Sequence, residues 1–209
     1  MKAKGILQVF FFFILSVALF SCRKDEDVEP IEEYMPLQVG NHWIYHVSDY
    51  DSEGNVVGNS SFTRAVVKDT VINGGKWYIL NDGNIVQNNR DGYVYFNRFN
   101  RAGDQAVILY QNAATGGIGY MYEYPNYKLW LLTTRTYETT PLVTQLGNFP
   151  SYVFTIERQY IQPNSPTTNS TWQKDYISPG LGMVRSDRFY AGSADVLFRR
   201  YELISYLVQ

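Results

Sequence analysis

From Trp43 onward, apolar side chains recur at every second position. Trp43, Tyr45 and Val47 alternate with Ile44, His46 and Ser48. In a second run Tyr152, Phe154, Ile156 and Tyr160 fall on one side, with Thr155, Glu157 and Gln159 on the other. Tyr93 with Tyr95, and Tyr120 with Tyr122 and Tyr124, keep the same spacing. A period of two sends alternate side chains to opposite faces of a strand, one toward a core and one toward water. Between the runs lie Glu53-Gly54-Asn55, Asn73-Gly74-Gly75, Asp82-Gly83-Asn84, Asp91-Gly92 and Gly116-Gly117. Gly and Asn tolerate the positive φ of tight hairpins, so these are turns. The pattern predicts about ten to twelve strands in a meandering antiparallel sheet. No amphipathic helix is expected after Cys22, apart from a short helical turn near Ile31–Met35. The polar, Pro-containing run from Gln162 to Thr171 reads as a long exposed loop.

A sheet of that many strands must curl, split or close to hide its apolar face. With no helices to cover it, the predicted fold class is all-β. Residues 34–209 form a single domain, a meandering antiparallel sheet strongly curved or closed into an incomplete barrel or a sandwich.

The N-terminus follows a different pattern. Lys2 and Lys4 precede an almost wholly apolar run from Ile6 to Phe20, interrupted by Gln8 and Ser16. A membrane-spanning helix needs about 20 apolar residues, so this shorter run reads as the core of a signal peptide over residues 1–21. Leu19-Phe20-Ser21-Cys22 follows. It resembles the lipobox of bacterial lipoproteins: an apolar residue at −3, a small residue at −1, then cysteine. The resemblance implies diacylglycerol in thioether linkage at Cys22, cleavage before it, and acylation of the new amine by a palmitate chain. Several acyl chains hold a protein stably at a membrane, whereas one binds only marginally. Arg23-Lys24-Asp25-Glu26-Asp27 comes next. Lys24 followed by the acids Asp25, Glu26 and Asp27 resembles the export signal that carries some Gram-negative lipoproteins to the outer face of the outer membrane. Residues 22–33, with Pro30 and further acids at Glu29, Glu32 and Glu33, read as a flexible acidic tether.

Composition narrows the function classes. Removing residues 1–21 takes Lys2 and Lys4 from the 18 basic residues and leaves the 20 acidic ones, a formal charge of −4. That mild acidity argues against nucleic-acid binding, which needs a basic face to displace counterions. With Cys22 the sole cysteine, no intramolecular disulfide can form. Tyr is the commonest aromatic, 18 against 12 Phe and 4 Trp. It suits half-buried pleated surfaces, and each buried unpaired hydroxyl costs about 1–3 kcal/mol. Tyr on this scale therefore points to polar contacts with protein or glycan rather than to a dry acyl-chain cavity.

Both ends of the domain carry motifs. The opening, Tyr34-Met35-Pro36-Leu37-Gln38-Val39-Gly40-Asn41-His42-Trp43-Ile44-Tyr45, fits PL-x-x-G-x-x-W-x-Y. Near the close stand Pro179-Gly180-Leu181-Gly182-Met183-Val184, fitting G-x-G-x-V, and Leu203-Ile204-Ser205-Tyr206. These segments resemble the start and end of a group of uncharacterised bacterial surface lipoproteins, which implies no catalytic residues. Their own physics is structural. Pro179-Gly180 suits a type II turn, Gly182 permits a bulge or a close backbone approach, and the Trp43 indole N–H needs a partner.

No chemistry-bearing constellation emerges. His42 and His46, the only histidines, share the strand face opposite Trp43. They stand about 13 Å apart at roughly 3.3 Å per residue, too far to share a metal. There is no G-x-S-x-G elbow, and Gly116-Gly117-Ile118-Gly119 precedes no helix that would cradle phosphate. Glu123, Glu138, Glu157, Asp175 and Glu202 are strand acids, expected on solvated faces or in cross-strand ion pairs with Arg135, Arg158 and Arg199. Asp69-Thr70-Val71 is similar to a short bacterial O-glycosylation site. Neither enzyme activity, nor metal, nor cofactor is expected. The leading expectation is a non-enzymatic outer-membrane lipoprotein, anchored at Cys22, with an envelope-protein or glycan partner. The alternatives are a half-barrel carrier or sensor of an apolar ligand, and a glycan-binding accessory protein.

Overall fold

The computed structural model describes residues 33–97, 105–113, 116–163, 168–191 and 196–209. Cys22 and the segment Lys24, Asp25, Glu26 and Asp27 lie outside them, as does most of the tether. The first half of the domain is a plain meander. It comprises β1 (His42–Tyr50), β2 (Val56–Ile72), β3 (Gly75–Leu80), β4 (Ile85–Asn89), β5 (Gly92–Asn97) and β6 (Gln105–Gln111). The second half comprises β7 (Gly117–Glu123), β8 (Lys128–Arg135), β9 (Thr140–Thr144), β10 (Gly147–Ile161), β11 (Thr168–Ser178), β12 (Gly182–Phe189) and β13 (Leu197–Leu207).

Every pairing is antiparallel, and all thirteen strands belong to one sheet. Its order is β6-β5-β4-β3-β2-β1-β13-β12-β11-β10-β8-β7, with β9 paired beside it on β10. The first and last strands meet at its centre, with Trp43 opposite Tyr206 and His46 opposite Glu202. β6 and β7 are left as the two edges. The curled sheet brings these edges together without a backbone ladder, and side chains bridge the seam. The Ile108 N–H donates to the Tyr120 hydroxyl (2.8 Å), and Gln111 Nε2 donates to the Gly116 carbonyl (2.9 Å). The result is the incomplete antiparallel barrel, with alternating faces and turns where Gly and Asn lie. At Asn73-Gly74, φ is 51° and 79°, the paired positive values of a two-residue hairpin.

The alternation places the core as the pattern requires. Trp43, Tyr45 and Val47 are buried while His46 is exposed and His42 half-buried. Every buried apolar residue of the described chain lies between Tyr34 and Leu203. The segment ahead of β1 is part of it. Tyr34 and Met35 are fully buried. The Tyr34 hydroxyl donates to the Gln111 carbonyl (3.1 Å) and accepts from Arg135 Nη1. Asn88 Nδ2 donates to the Met35 carbonyl (2.7 Å).

The opening and closing motifs form one physical unit. The Trp43 indole N–H donates to the Leu181 carbonyl (2.7 Å), and the Tyr45 hydroxyl to the Met183 carbonyl (3.0 Å). Gly180, at φ 73°, occupies the turn position that needs a positive φ. Gly182 has φ 109°, and a Cβ there would stand 2.7 Å from Met35 Sδ and 3.3 Å from Trp43 Nε1. The close approach at Gly182 is thus to two core side chains rather than to another backbone.

Three expectations need correction. Residues Thr168–Thr171 belong to β11 and pair with Tyr160–Glu157 of β10, which shortens the exposed loop after Gln162. Polar Thr, Asn and Ser sit readily on a solvated strand face once a partner strand satisfies the backbone. Glu138 lies in a bend between β8 and β9, not on a strand. Tyr34 and Met35 form a bend rather than a helical turn, because both side chains are drawn into the core.

Candidate functional site

The barrel interior is not filled. Aromatics divide three ways. Tyr34, Trp43, Tyr45, Tyr93 and Phe154 are fully buried in the core. Tyr95, Phe96, Tyr120, Tyr122 and Trp172 line an interior cavity. Tyr124, Trp130, Tyr137, Tyr190 and Tyr206 are exposed on the outside.

The cavity has two chambers. The first, about 460 Å³, is walled by Val107, Ile108 and Leu109 of β6, Tyr120 and Tyr122 of β7, Leu131 of β8 and Ile156 of β10. It sits at the seam where the sheet fails to close, since the two edge strands supply much of its wall. Asp82 and Gly83, exposed in the β3–β4 turn, form its rim. The second chamber, about 300 Å³, is lined by Phe62 and Arg64 of β2, Tyr110 of β6, Ser186 and Arg188 of β12 and Tyr201 of β13. The chambers share Asp82, Asn84, Tyr95, Leu109 and Gln173. Together they offer an apolar compartment abutting a charged one, within the size range of small-molecule sites.

Several tyrosine hydroxyls of the barrel are bonded to its wall. Tyr120 accepts the Ile108 N–H, Tyr110 donates to Asp175 Oδ2 (2.9 Å), and Tyr45 and Tyr34 donate to main-chain carbonyls. With its hydroxyl tied to the wall, a Tyr ring presents an apolar surface. Burial pushes the Tyr110 phenol well above its ordinary pKa, so it stays a neutral donor.

Asp175 departs most from the solvated role expected of it. It is fully buried. Gln173 Nε2 donates to both carboxylate oxygens (2.8 and 2.7 Å) and Tyr110 to one of them. Burial raises its pKa, while hydrogen bonds from Gln173 and Tyr110 and the charge of Arg188 oppose the rise. The folded state therefore holds the proton above the ordinary Asp value of 3.8, where the unfolded chain has lost it. The stability this contributes is present in acid and lost as pH rises through the folded pKa. Wild type is accordingly expected to gain on Asp175→Asn, in urea midpoint, as pH falls from about 8 to about 4. A gap that is constant or shrinks toward acid would contradict this.

Arg64 and Arg188 are the cations of the charged chamber. Burial opposes the Arg64 charge, and the influence of Tyr95, Tyr93, Tyr45 and Tyr110 more than offsets it, so its pKa is raised. The Arg64 guanidinium lies over the Phe62 ring (5.8 Å) and that of Arg188 over the Tyr201 ring (4.8 Å). Both Nε atoms are buried without a hydrogen-bond partner.

The residues singled out by pattern are dispersed. Glu202 pairs with Arg185 (2.8 Å), Arg199 with Asp49 (2.5 Å) and Glu123 with Lys128 (2.7 Å). Arg135 and Arg158 lie over the Tyr152 and Trp172 rings, at 4.2 and 3.3 Å. His46 contacts Asn59 (3.1 Å). Among the described residues no group of three or more His, Cys, Asp and Glu is placed to hold a metal. Arg64 and Arg188 were not anticipated. Their parity with Phe62 and Ser186 marks them as inward, but parity alone does not separate a filled interior from a hollow one.

In class, then, the chain is an all-β incomplete barrel with an amphipathic interior cavity. No family model matches it, and no curated protein matches it. Two solved structures are similar in fold. One, provisionally described as a lipoprotein from Parabacteroides distasonis ATCC 8503, has 16% identity and a TM-score of 0.46 over 84% of this chain and 99% of that one. The other is from Bacteroides fragilis NCTC 9343, provisionally described as an exported protein with a YmcC-like fold. It has 13% identity and a TM-score of 0.45, with the same coverage.

Proposed function

We propose that the protein is a lipoprotein of the outer membrane, anchored through Cys22 and displayed at the cell surface, whose barrel binds a small amphipathic molecule without chemical turnover. The address rests on the signal-peptide pattern, the lipobox resemblance and the Lys24-Asp25-Glu26-Asp27 segment. The binding role rests on one observation, the 460 Å³ chamber walled by aliphatic and aromatic side chains. That observation moves the carrier reading ahead of partner binding through exposed aromatics, because much of the chamber wall is aliphatic or aromatic.

The test uses the mature chain, residues 22–209 with Cys22→Ser. A hydrophobic-cavity dye is expected to fluoresce on binding it, and Val107→Trp, which fills the apolar chamber, is expected to abolish the signal. Organic extraction of the full-length protein from membranes should yield a roughly stoichiometric amphiphile by mass spectrometry. No enhancement with wild type, or equal enhancement with Val107→Trp, would return the interior to a purely structural role.

A further inference from the structure

An apolar chamber alone accepts any greasy molecule of the right size. The adjoining chamber is more selective. The Arg and Asp side chains that face it or pack against it are Arg64, Arg188, Asp82 and Asp175, beside the tyrosines Tyr95, Tyr110 and Tyr201. The two carboxylates are already engaged. Asp175 accepts from Gln173 and Tyr110. Asp82 stands exposed at the rim, where its Oδ1 accepts the Asn84 N–H (3.1 Å). Among the described residues, neither Arg64 nor Arg188 takes part in an ion pair.

The Arg64 guanidinium lies over the Phe62 ring and that of Arg188 over the Tyr201 ring, and the in-plane Nε–H edge of each is buried without a hydrogen-bond partner. Such edges match the planar oxygens of a carboxylate, or the tetrahedral oxygens of a phosphate ester, in bidentate fashion. Among the described residues, neither guanidinium has a carboxylate within ion-pairing distance, so an anion seated between them would be their first direct charge partner. Water can satisfy the N–H groups but not the charge.

Resting on the cavity-binding role above, we infer that Arg64 and Arg188 form an oxyanion subsite, so that the occupant of the barrel is an amphiphile with an anionic head and an apolar tail. The head lies between the two guanidinium groups in the second chamber. The tail passes Tyr95 and Leu109, which both chambers share, into the apolar compartment at the β6/β7 seam.

Head-group selectivity tests this with one tail and several heads. Decanoate, decyl phosphate, decanol and decyltrimethylammonium are titrated into the mature chain, following the fluorescence of Trp172 in the cavity wall. At least one of the two anions is expected to bind tenfold or more tighter than decanol, and the trimethylammonium head least of all. Which anion wins tells a carboxylate from a phosphate source. Arg64→Gln/Arg188→Gln is expected to erase the preference, with decanol affinity unchanged within about twofold. Equal affinities of wild type for anions and alcohol would overturn the oxyanion subsite while leaving the cavity reading intact. Failure of all four amphiphiles and of the dye would overturn both. Because the wild-type series decides by itself, poor folding of the double variant would not rescue the proposal.

Discussion

Replacing Trp43 by alanine is expected to destabilise the domain by about 3–5 kcal/mol, the usual range for removing a large aromatic from a core. Trp43 is fully buried, and it joins the first strand to the turn before β12 through its bond to the Leu181 carbonyl. Its loss would open a void beside Met35 and Gly182, where a Cβ would crowd both Met35 and the indole. Trp43→Phe keeps most of the ring but orphans the carbonyl, and is expected to cost less, about 1–3 kcal/mol for the unpaired group alone. Urea unfolding of the mature chain measures both. An alanine variant within about 1 kcal/mol of wild type would mean that the two ends of the chain do not depend on this contact.

Cys22→Ala is expected to remove acyl labelling and shift the protein from the membrane pellet to the soluble fraction. The proposed anchoring carries this expectation: the apolar run from Ile6 to Phe20 is shorter than a stable span needs, so a lipid on Cys22 would be the retaining element. Metabolic labelling with palmitate followed by fractionation reads this out. An unlabelled wild type that still sediments with membranes would refute lipid anchoring. Protease shaving of intact cells extends the test to the signal after Cys22. Changing Lys24-Asp25-Glu26-Asp27 to four alanines is expected to protect the protein from shaving, and equal shaving would reduce that segment to a plain tether.

The site was legible only in fragments. Asp175 stands out among strand acids because it shares a face with Gln173, yet nothing local says that Tyr110, distant in the chain, will donate to it. Arg64 follows Phe62 at the spacing of an inward face, and an inward arginine signals either an ion pair or a ligand. Deciding between them requires knowing how both neighbouring carboxylates are bonded, a property of the β3–β4 turn and strands β6 and β11 taken together.

The residue pattern by itself determined the all-β class, the turn positions and the inward set Trp43, Tyr45, Val47 and Phe154. Those follow from a period of two and from the few residues that accept a positive φ, both local properties of the chain. It also determined that Trp43 and Gly182 have structural tasks, since an indole N–H needs an acceptor and a strand glycine marks a crowded place. Only the tertiary structure decided that the sheet stops one ladder short of closure, between β6 and β7, and that the space behind that seam is hollow. Closure depends on curvature accumulated over thirteen strands, and hollowness on side chains that meet across the barrel from opposite ends of the chain. Neither quantity is carried by any short stretch of residues.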